Sequence, residues 1–214
     1  MRRKPFVLVI SGPSGAGKST FVRRLLERDD MRFSVSATTR PLRTGEVNAK
    51  DYHFLGDAEF QARVAAGDFL EHAEVHGARY GTLRSEVFPA LEAGRCPLLD
   101  IDVQGGVRVK RELQDAVLVF LLPPSMRDLE ARLRGRKTET EEKIQKRLAR
   151  APEEIRCLAQ YDYVVVNHTV DRTFRELEAI VTAEGLRQTR LADDAGTPAV
   201  AAEYLKESAR PLAP

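Results

Sequence analysis

A glycine-rich stretch near the N-terminus carries the clearest chemistry in this sequence. Residues 12–20 read Gly-Pro-Ser-Gly-Ala-Gly-Lys-Ser-Thr and match G-x-x-x-x-G-K-[ST], a pattern that binds nucleotide phosphates. Its glycines allow backbone angles that turn successive N–H groups toward an anion. Lys18 brings a positive charge to the β- and γ-phosphates, and the Ser19 hydroxyl can bind Mg²⁺. We therefore predict a nucleoside triphosphate site formed by Gly12, Pro13, Ser14, Gly15, Ala16, Gly17, Lys18, Ser19 and Thr20.

The segments on either side of this motif must position it. Residues 6–10, Phe-Val-Leu-Val-Ile, form a continuous apolar run that is typical of a buried parallel strand. Residues 20–28 predict a helix with Phe21 and Leu25 facing inward. The order strand, glycine loop, helix is the context that the motif requires, and it directs the positive end of the helix at the phosphates.

A second buried strand, predicted at residues 97–102, ends in acidic residues. A carboxylate at such a strand end orders Mg²⁺ in proteins with this glycine loop, so we assign Asp100 to the metal, directly or through a bound water. Residues 102–105 also match the D-x-x-G pattern of GTPases. The base-reading N-K-x-D pattern is missing, because residues 48–51 read Asn-Ala-Lys-Asp. We therefore disfavour a GTPase.

Length and composition favour one domain with a small inserted lobe. The chain has 214 residues, of which 43% are apolar, and its 34 basic and 32 acidic residues give a net charge of +2. This balance argues against a nucleic-acid partner. Cys96 and Cys157 lack metal-binding spacing, so we expect reduced thiols. No apolar run approaches membrane-spanning length, and the first is too short for a signal peptide, so we expect a cytoplasmic protein without a membrane partner.

The remaining patterns predict strands that alternate with helices, except in one segment. We predict strands at 32–36, 51–54, 69–75, 116–122 and 163–167, and helices at 58–66, 84–93, 126–133, 141–158 and 170–185. We interpret residues 77–82 as a turn. The segment from 33 to 84 contains mostly short strands and therefore predicts an inserted lobe. Beyond residue 190 the chain is rich in Ala, Asp and Pro, and we expect either a short helix that Thr197-Pro198 caps and that ends at Ser208, or a disordered tail.

Two arginine-rich stretches each allow two interpretations from residue types alone. Arg40 and Arg43 lie three apart on a predicted loop, where they can clamp one phosphate or form a solvated turn. Residues 132–140 are strongly basic, and Arg147 lies on the helix that follows. This region is either a mobile flap that carries arginines or a solvated pair of charged helices.

A histidine pair also invites a metal-site interpretation. His72 and His76 lie four residues apart, close to Glu71 and Glu74. On a strand that runs into a turn, this spacing does not bring the two rings together. We therefore disfavour a metal site here.

Several motifs in one order resemble guanylate kinase, over about residues 6–186. They are the glycine loop, Ser-Ala-Thr-Thr-Arg-Pro-Leu-Arg-Thr-Gly-Glu at 36–46, Asp-Tyr-His-Phe at 51–54, Phe-Leu-Glu at 69–71, Tyr-Gly-Thr at 80–82, Leu-Asp-Ile-Asp-Val-Gln-Gly at 99–105 and Gly-Arg-Lys-Thr-Glu-Thr at 135–140. The resemblance implies Mg²⁺-dependent transfer of the γ-phosphoryl of ATP to GMP, and to dGMP, in purine nucleotide metabolism and GTP supply.

The resemblance also implies an α/β fold, a P-loop three-layer α/β/α core with a parallel sheet, an inserted mixed-strand GMP-binding lobe and a helical lid. We expect a domain at 1–190 and a tail at 191–214. Within the domain, we expect the core at 1–32, 95–133 and 160–190, the lobe at 33–94 and the lid at 134–159.

The family's functional residues have counterparts in this sequence. By resemblance, the GMP phosphate is held by Arg40, Arg43, Tyr52 and Tyr80, and the guanine by Ser36, Glu71 and Thr82, with Asp102 close by. The catalytic charges are Lys18, Arg40, Arg136 and Arg147. Leu42 stands where a proline is usual, and Ala49 and Lys137 stand where glycines are usual. These departures remove no contacting side chain and leave open the stiffness of the loops and the motion of the lid.

Two other function classes remain as alternatives. A non-catalytic guanylate-kinase-like binding module shares the fold but lacks an intact glycine loop, whereas Gly17, Lys18 and Ser19 are all present here. The second alternative is a P-loop kinase that acts on another small phosphate acceptor. The presence of Glu71 together with Ser36 favours a guanine-containing acceptor instead. The sequence leaves the oligomeric state open, a homo-oligomer included.

Overall fold

The structure is a computed structural model that describes residues 3–75, 77–135 and 140–191. Within these ranges the strands are β1 Leu8–Ser11, β2 Met31–Phe33, β3 Ala37–Thr38, β4 His53–Phe54, β5 Phe69–Val75, β6 Ala78–Leu83, β7 Cys96–Asp100, β8 Val117–Leu122 and β9 Tyr163–Val166. The helices are α1 Lys18–Leu25, α2 Asp57–Ala65, α3 Arg84–Glu92, α4 Val103–Glu112, α5 Met126–Gly135, α6 Glu141–Arg156, α7 Val170–Gly185 and α8 Gln188–Leu191. A 3₁₀ turn, Cys157–Gln160, follows α6.

A five-stranded parallel sheet in the order β2-β7-β1-β8-β9 forms the centre of the fold. The side chains of β1 alternate between its two faces, so each face joins a separate apolar cluster. Leu8 and Ile10 pack with Phe21 of α1 and with α7, whereas Val9 packs with Val109 of α4. Helices therefore cover both faces of the sheet, which confirms the predicted α/β core with a parallel sheet.

A second, mixed sheet in the order β4-β3-β6-β5 lies between residues 37 and 83. β3 pairs with β4 in parallel and with β6 antiparallel, and β5 and β6 are also antiparallel. Its small core includes Phe60 of α2 and Phe69 of β5, whose rings stack with their centroids 4.5 Å apart. The boundaries of the lobe, core, lid and tail stay predictions.

Glycines misled the sequence prediction at two places. Residues 77–82 are mostly strand β6 rather than a turn. The strand contains a glycine at position 81 because a Cβ atom there would lie 2.6 Å from the Phe69 ring. Helix α4 was not predicted, since Gly105 and Gly106 interrupt its pattern. It begins at Asp102, whose Oδ1 accepts hydrogen bonds from the backbone N–H groups of residues 104 and 105 at 2.8 and 3.0 Å.

Helices α5 and α6 pack against each other at the position of the predicted lid. Their contact buries Leu129, Leu133, Ile144 and Ala151. The connecting residues 136–139 lie outside the described residues, as does the predicted tail after Leu191. Of the helices in the described ranges, none combines the length and apolar character needed to cross a membrane.

The last described helix closes onto the core through a buried arginine that the sequence did not single out. Arg190 is 1% exposed and donates to Asp115 Oδ2 at 2.8 Å and to Glu184 Oε2 at 3.3 Å. Its guanidinium also lies 4.4 Å from the centre of the Phe6 ring. Since a buried arginine requires partners, these contacts explain how α8 docks.

Candidate functional site

The glycine loop, residues 12–17, connects β1 to α1 at the carboxyl end of the central strand. Gly12, Gly15 and Gly17 have φ values of 147°, 101° and 100°, which favour glycine. Space also requires glycine, because a Cβ atom on Gly12 would overlap the carbonyl oxygen of Leu121 and one on Gly17 would lie 2.6 Å from Asn167 Nδ2. The loop therefore has the backbone curvature that exposes N–H groups to an anion.

The polar side chains around the loop include Lys18, Ser19, Thr20 and Asp100. Lys18 Nζ donates to the Gly12 carbonyl at 2.8 Å, which curls the side chain back over the loop. Ser19 and Thr20 are exposed in the first turn of α1. Asp100 ends β7, next to β1, and burial raises the pKa of its carboxyl while the charge of Lys18 opposes the shift. A cation or a phosphate bound beside Lys18 and Asp100 therefore lies near one basic and one acidic side chain.

Two residues that the sequence interpretation did not assign support the loop from outside. Asn167, directly after β9, donates from Nδ2 to the Ala16 carbonyl at 2.8 Å. Arg132 of α5 donates from Nη2 to the Asn167 carbonyl at 2.8 Å and from Nη1 to Ala16 at 3.3 Å. The position of Asn167 at a strand end was the available signal. These bonds fix the loop against α5 and β9.

The helix pair α5–α6 also contacts the loop through a predicted arginine. Arg147 of α6 donates from Nη1 to the Ser14 hydroxyl. The other predicted lid arginine, Arg136, lies outside the described residues. The structure thus brings one of the two lid arginines to the phosphate loop.

The mixed sheet carries a second cationic site, centred on Arg40. Its guanidinium donates to both carboxylate oxygens of Glu46, at 2.7 and 2.8 Å, and lies 5.2 Å from the centre of the Tyr52 ring. The Tyr52 and Tyr80 rings meet edge to face with their centroids 6.0 Å apart. The bond from Arg40 lowers the pKa of Glu46 to about 2. Glu46, which was not predicted as a site residue, therefore holds Arg40 in place.

Arg43 shares this loop with Arg40 but contacts Glu46 through its backbone. Its N–H donates to Glu46 Oε2 at 2.8 Å, while Arg43 as a whole is exposed. Of the three departures from the family pattern, Leu42 is 50% exposed here. Ala49 has a φ of 60°, a left-handed conformation that suits a glycine better.

A buried carboxylate lies at the base of the same sheet. Glu71 of β5 is 7% exposed and accepts a hydrogen bond from Thr82 Oγ1 of β6 at 2.8 Å. Burial raises the pKa of Glu71 to about 7. Tyr80 and Thr82 are two apart on β6, so both face the same side of the sheet. Such a carboxylate can accept hydrogen bonds from a ligand that presents donors.

The other two residues predicted at the guanine are Ser36 and Asp102. Ser36 is half-buried just before β3, and its carbonyl accepts from the His53 N–H at 2.9 Å. Asp102 caps α4, and its negative charge adds to the rise in the Glu71 pKa. The described residues include no group of three or more His, Cys, Asp or Glu side chains placed to hold a metal; His76 lies outside them.

Comparisons with known proteins agree on one family. The family model for guanylate kinase matches residues 2–184. A guanylate kinase of Syntrophotalea carbinolica is 47% identical over 197 residues, which cover 92% of this chain and 94% of the relative. One of Cereibacter sphaeroides is 48% identical over 196 residues, covering 90% and 93%.

A solved structure gives the same result for the fold. The crystal structure of guanylate kinase from Anaplasma phagocytophilum superposes with a TM-score of 0.75 at 34% sequence identity. The alignment covers 100% of this chain and 98% of the other. The match therefore includes both sheets and the helix pair.

Proposed function

The chain belongs to the guanylate kinase family, and from that premise we propose that it transfers the γ-phosphoryl group of ATP to GMP, giving ADP and GDP. We extend the proposal to dGMP as acceptor. One observation carries it: the same molecule combines an intact glycine loop with a buried carboxylate, Glu71, that suits the donor edge of guanine. The loop serves the phosphoryl donor, and the carboxylate serves the acceptor.

At the donor end, the proposed roles are electrostatic. The loop N–H groups, the first turn of α1 and Lys18 bind the phosphates, and Arg147 and Arg136 add positive charge from the helix pair. The contact of Arg147 with Ser14 supports this arrangement. A GMP phosphate oxygen is already anionic, so the reaction needs no strong base. Positioning and charge neutralisation dominate phosphoryl transfer.

At the acceptor end, we propose that the phosphate and the base of GMP bind at two parts of the mixed sheet. Arg40, Arg43, Tyr52 and Tyr80 hold the phosphate, and Ser36, Glu71, Thr82 and Asp102 surround the guanine. The bond of Arg40 to Glu46 supports the first assignment, because it holds the planar fork of the guanidinium in one orientation. The burial of Glu71 supports the second, because a buried carboxylate requires hydrogen-bond donors.

We propose that Ser19 and Asp100 hold Mg²⁺ together with the phosphates, Asp100 directly or through a water. Hydroxyl and carboxylate oxygens are the ligands that Mg²⁺ prefers. Burial raises the pKa of Asp100. A nearby cation acts against this shift, because its positive charge favours the ionised carboxylate. When bound, the metal neutralises charge on the β- and γ-phosphates.

A coupled assay of ADP formation tests the proposed reaction against both alternatives. We expect turnover with ATP and GMP, less with dGMP, and a background rate with AMP or without acceptor. Lys18→Met should lower turnover by roughly a hundredfold or more, as expected when one preorganised charge is removed, with an unchanged melting temperature. No turnover with any acceptor would indicate a binding module, and preferred use of AMP would indicate a different kinase. The cytoplasmic location and the oligomeric state stay predictions.

A further inference from the structure

A glycine in the first turn of α4 lies directly against the carboxylate of Glu71. Gly105 is buried, and a Cβ atom built on it would lie 3.1 Å from Glu71 Oε2 and 3.4 Å from Glu71 Cδ. Side chains rarely make contacts this short, so a methyl group at this position forces the carboxylate to move. The hydrogen atom of glycine leaves the carboxylate in place.

The backbone conformation of Gly105 does not itself call for glycine. Gly105 lies inside helix α4, and its φ is not among the positive values of the chain's glycines. Alanine is a better helix former than glycine at such a position. The space beside Glu71 therefore explains the glycine better than local geometry does.

Contacts on two sides hold the Glu71 carboxylate. On one side, Thr82 Oγ1 donates to Oε1 at 2.8 Å. On the other side, Oε2 faces Gly105, whose N–H is fixed by its bond to Asp102 Oδ1 at 3.0 Å. Arg108, one turn further along α4, donates to the His72 carbonyl and so ties the helix to the strand that carries Glu71. Helix α4 therefore acts as a rigid wall behind the carboxylate.

We propose that Gly105 is a positioning residue for base recognition, because it sets how deeply the Glu71 carboxylate lies in the site. This inference rests on the proposed function. Guanine presents its N1–H and its N2 amino group side by side, so both carboxylate oxygens must lie within hydrogen-bonding distance at once. A shift of a few tenths of an ångström at Oε2 tilts the carboxylate and lengthens one of these bonds. Adenine and ATP binding do not depend on this geometry.

The first test compares two glycine-to-alanine variants in the full chain. We expect Gly105→Ala to lower kcat/KM for GMP by about tenfold or more, the loss of one charge-assisted hydrogen bond. The change should lie in KM for GMP, while KM for ATP stays within about twofold. Gly56→Ala is the matched control, because its φ is −69° and a Cβ atom there would contact nothing within 4 Å; it should behave like the parent. Equal loss for both substrates overturns the proposal.

The second test separates positioning from a general structural effect. Gly105→Ala should have little further effect on kcat/KM for GMP when Glu71→Ala has already removed the carboxylate, because residues that act through one contact are not additive. A loss of the same size in both backgrounds overturns the proposal. If Gly105→Ala alone folds poorly, the double variant should regain the melting temperature of Glu71→Ala, and a failure to regain it also overturns the proposal. Absence of GMP turnover in the parent protein contradicts the proposed function instead.

Discussion

At the scale of single residues, the most informative group is Glu71, because its acidity and its proposed role are linked. Burial raises its pKa to about 7, so the folded protein holds a proton there that the unfolded chain has already lost. The free energy of unfolding contributed by this group is therefore greatest below about pH 4.5 and declines as pH rises toward 7. A ligand that presents two hydrogen-bond donors prefers the ionised carboxylate, so binding of such a ligand strengthens as pH rises, whereas the stability contribution of Glu71 declines.

This linkage predicts the pH dependence of the reaction. The KM for GMP should rise as pH falls below 7, approaching about tenfold per pH unit, because GMP binding then requires deprotonation of Glu71. The phosphate of GMP also titrates in this range, so the comparison must be with Glu71→Gln, which keeps that titration and loses the carboxyl. Initial-rate kinetics from pH 5.5 to 8 measure both. Parallel profiles for the two proteins would contradict the role of Glu71.

Ala49 provides a prediction about stability rather than activity. Its φ of 60° costs a non-glycine residue about 1–2 kcal/mol of stability, which glycine would recover. Glycine also raises the entropy of the unfolded chain, which lowers the free energy of unfolding by about 0.4–1 kcal/mol. Ala49→Gly should therefore raise the free energy of unfolding by up to about 1.5 kcal/mol in urea titrations. Ala62→Gly, at an exposed position inside α2, should lower it by about 1 kcal/mol. A loss of stability at both positions would show that Ala49 is unstrained.

At the scale of helices and strands, the glycine loop depends on groups that approach it from other elements. Asn167 follows β9, and its amide holds the Ala16 carbonyl. We expect Asn167→Ala to raise KM for ATP several-fold and to lower the free energy of unfolding by about 0.5–1.5 kcal/mol, because the Ala16 carbonyl loses the shorter of its two side-chain hydrogen bonds and keeps the one from Arg132. Exposed Arg172→Ala on α7 is the control and should change neither quantity. An unchanged KM for ATP would show that the loop keeps its shape without this bond.

The same scale shows how far the sequence reaches. The apolar run before the loop and the 170–185 pattern predict β1 and α7 well, because each has one dominant periodicity and clear end signals. Strand β6 and helix α4 were missed, because Gly81, Gly105 and Gly106 look like breaks in a pattern. Each of these glycines serves a contact with a residue distant in sequence. Packing between distant segments cannot be inferred from one local window.

The candidate site follows the same division. The glycine loop and the acidic strand end are local patterns, so the sequence predicted their residues directly. Arg132, Asn167 and Glu46 act by supporting another group. Apart from the position of Asn167 at a strand end, no local pattern distinguishes them from other polar residues. The burial that raises the pKa of Glu71 depends on α4, which the sequence did not predict.

At the scale of the whole molecule, the proposed reaction requires the mixed sheet and the helix pair to approach the glycine loop together. We expect a bisubstrate analogue that links adenosine and guanosine through phosphates to reduce the radius of gyration in small-angle scattering. ATP alone should produce part of the change. An unchanged radius of gyration with the analogue would contradict closure over the core. We also expect the contact between guanine and Glu71 to contribute to closure, so a decrease in radius as large in Glu71→Ala as in the parent would contradict that contribution.

The order of strands in the parallel sheet affects how the protein folds during its synthesis on the ribosome. Leu8 of the central strand pairs with Leu98 on one side and with Val117 on the other. Both partners are synthesised long after β1 leaves the ribosome, and connections of this length close slowly. During that interval the apolar faces of β1 have no permanent cover, so the nascent chain is most exposed to aggregation, and to binding by chaperones, until β8 has emerged.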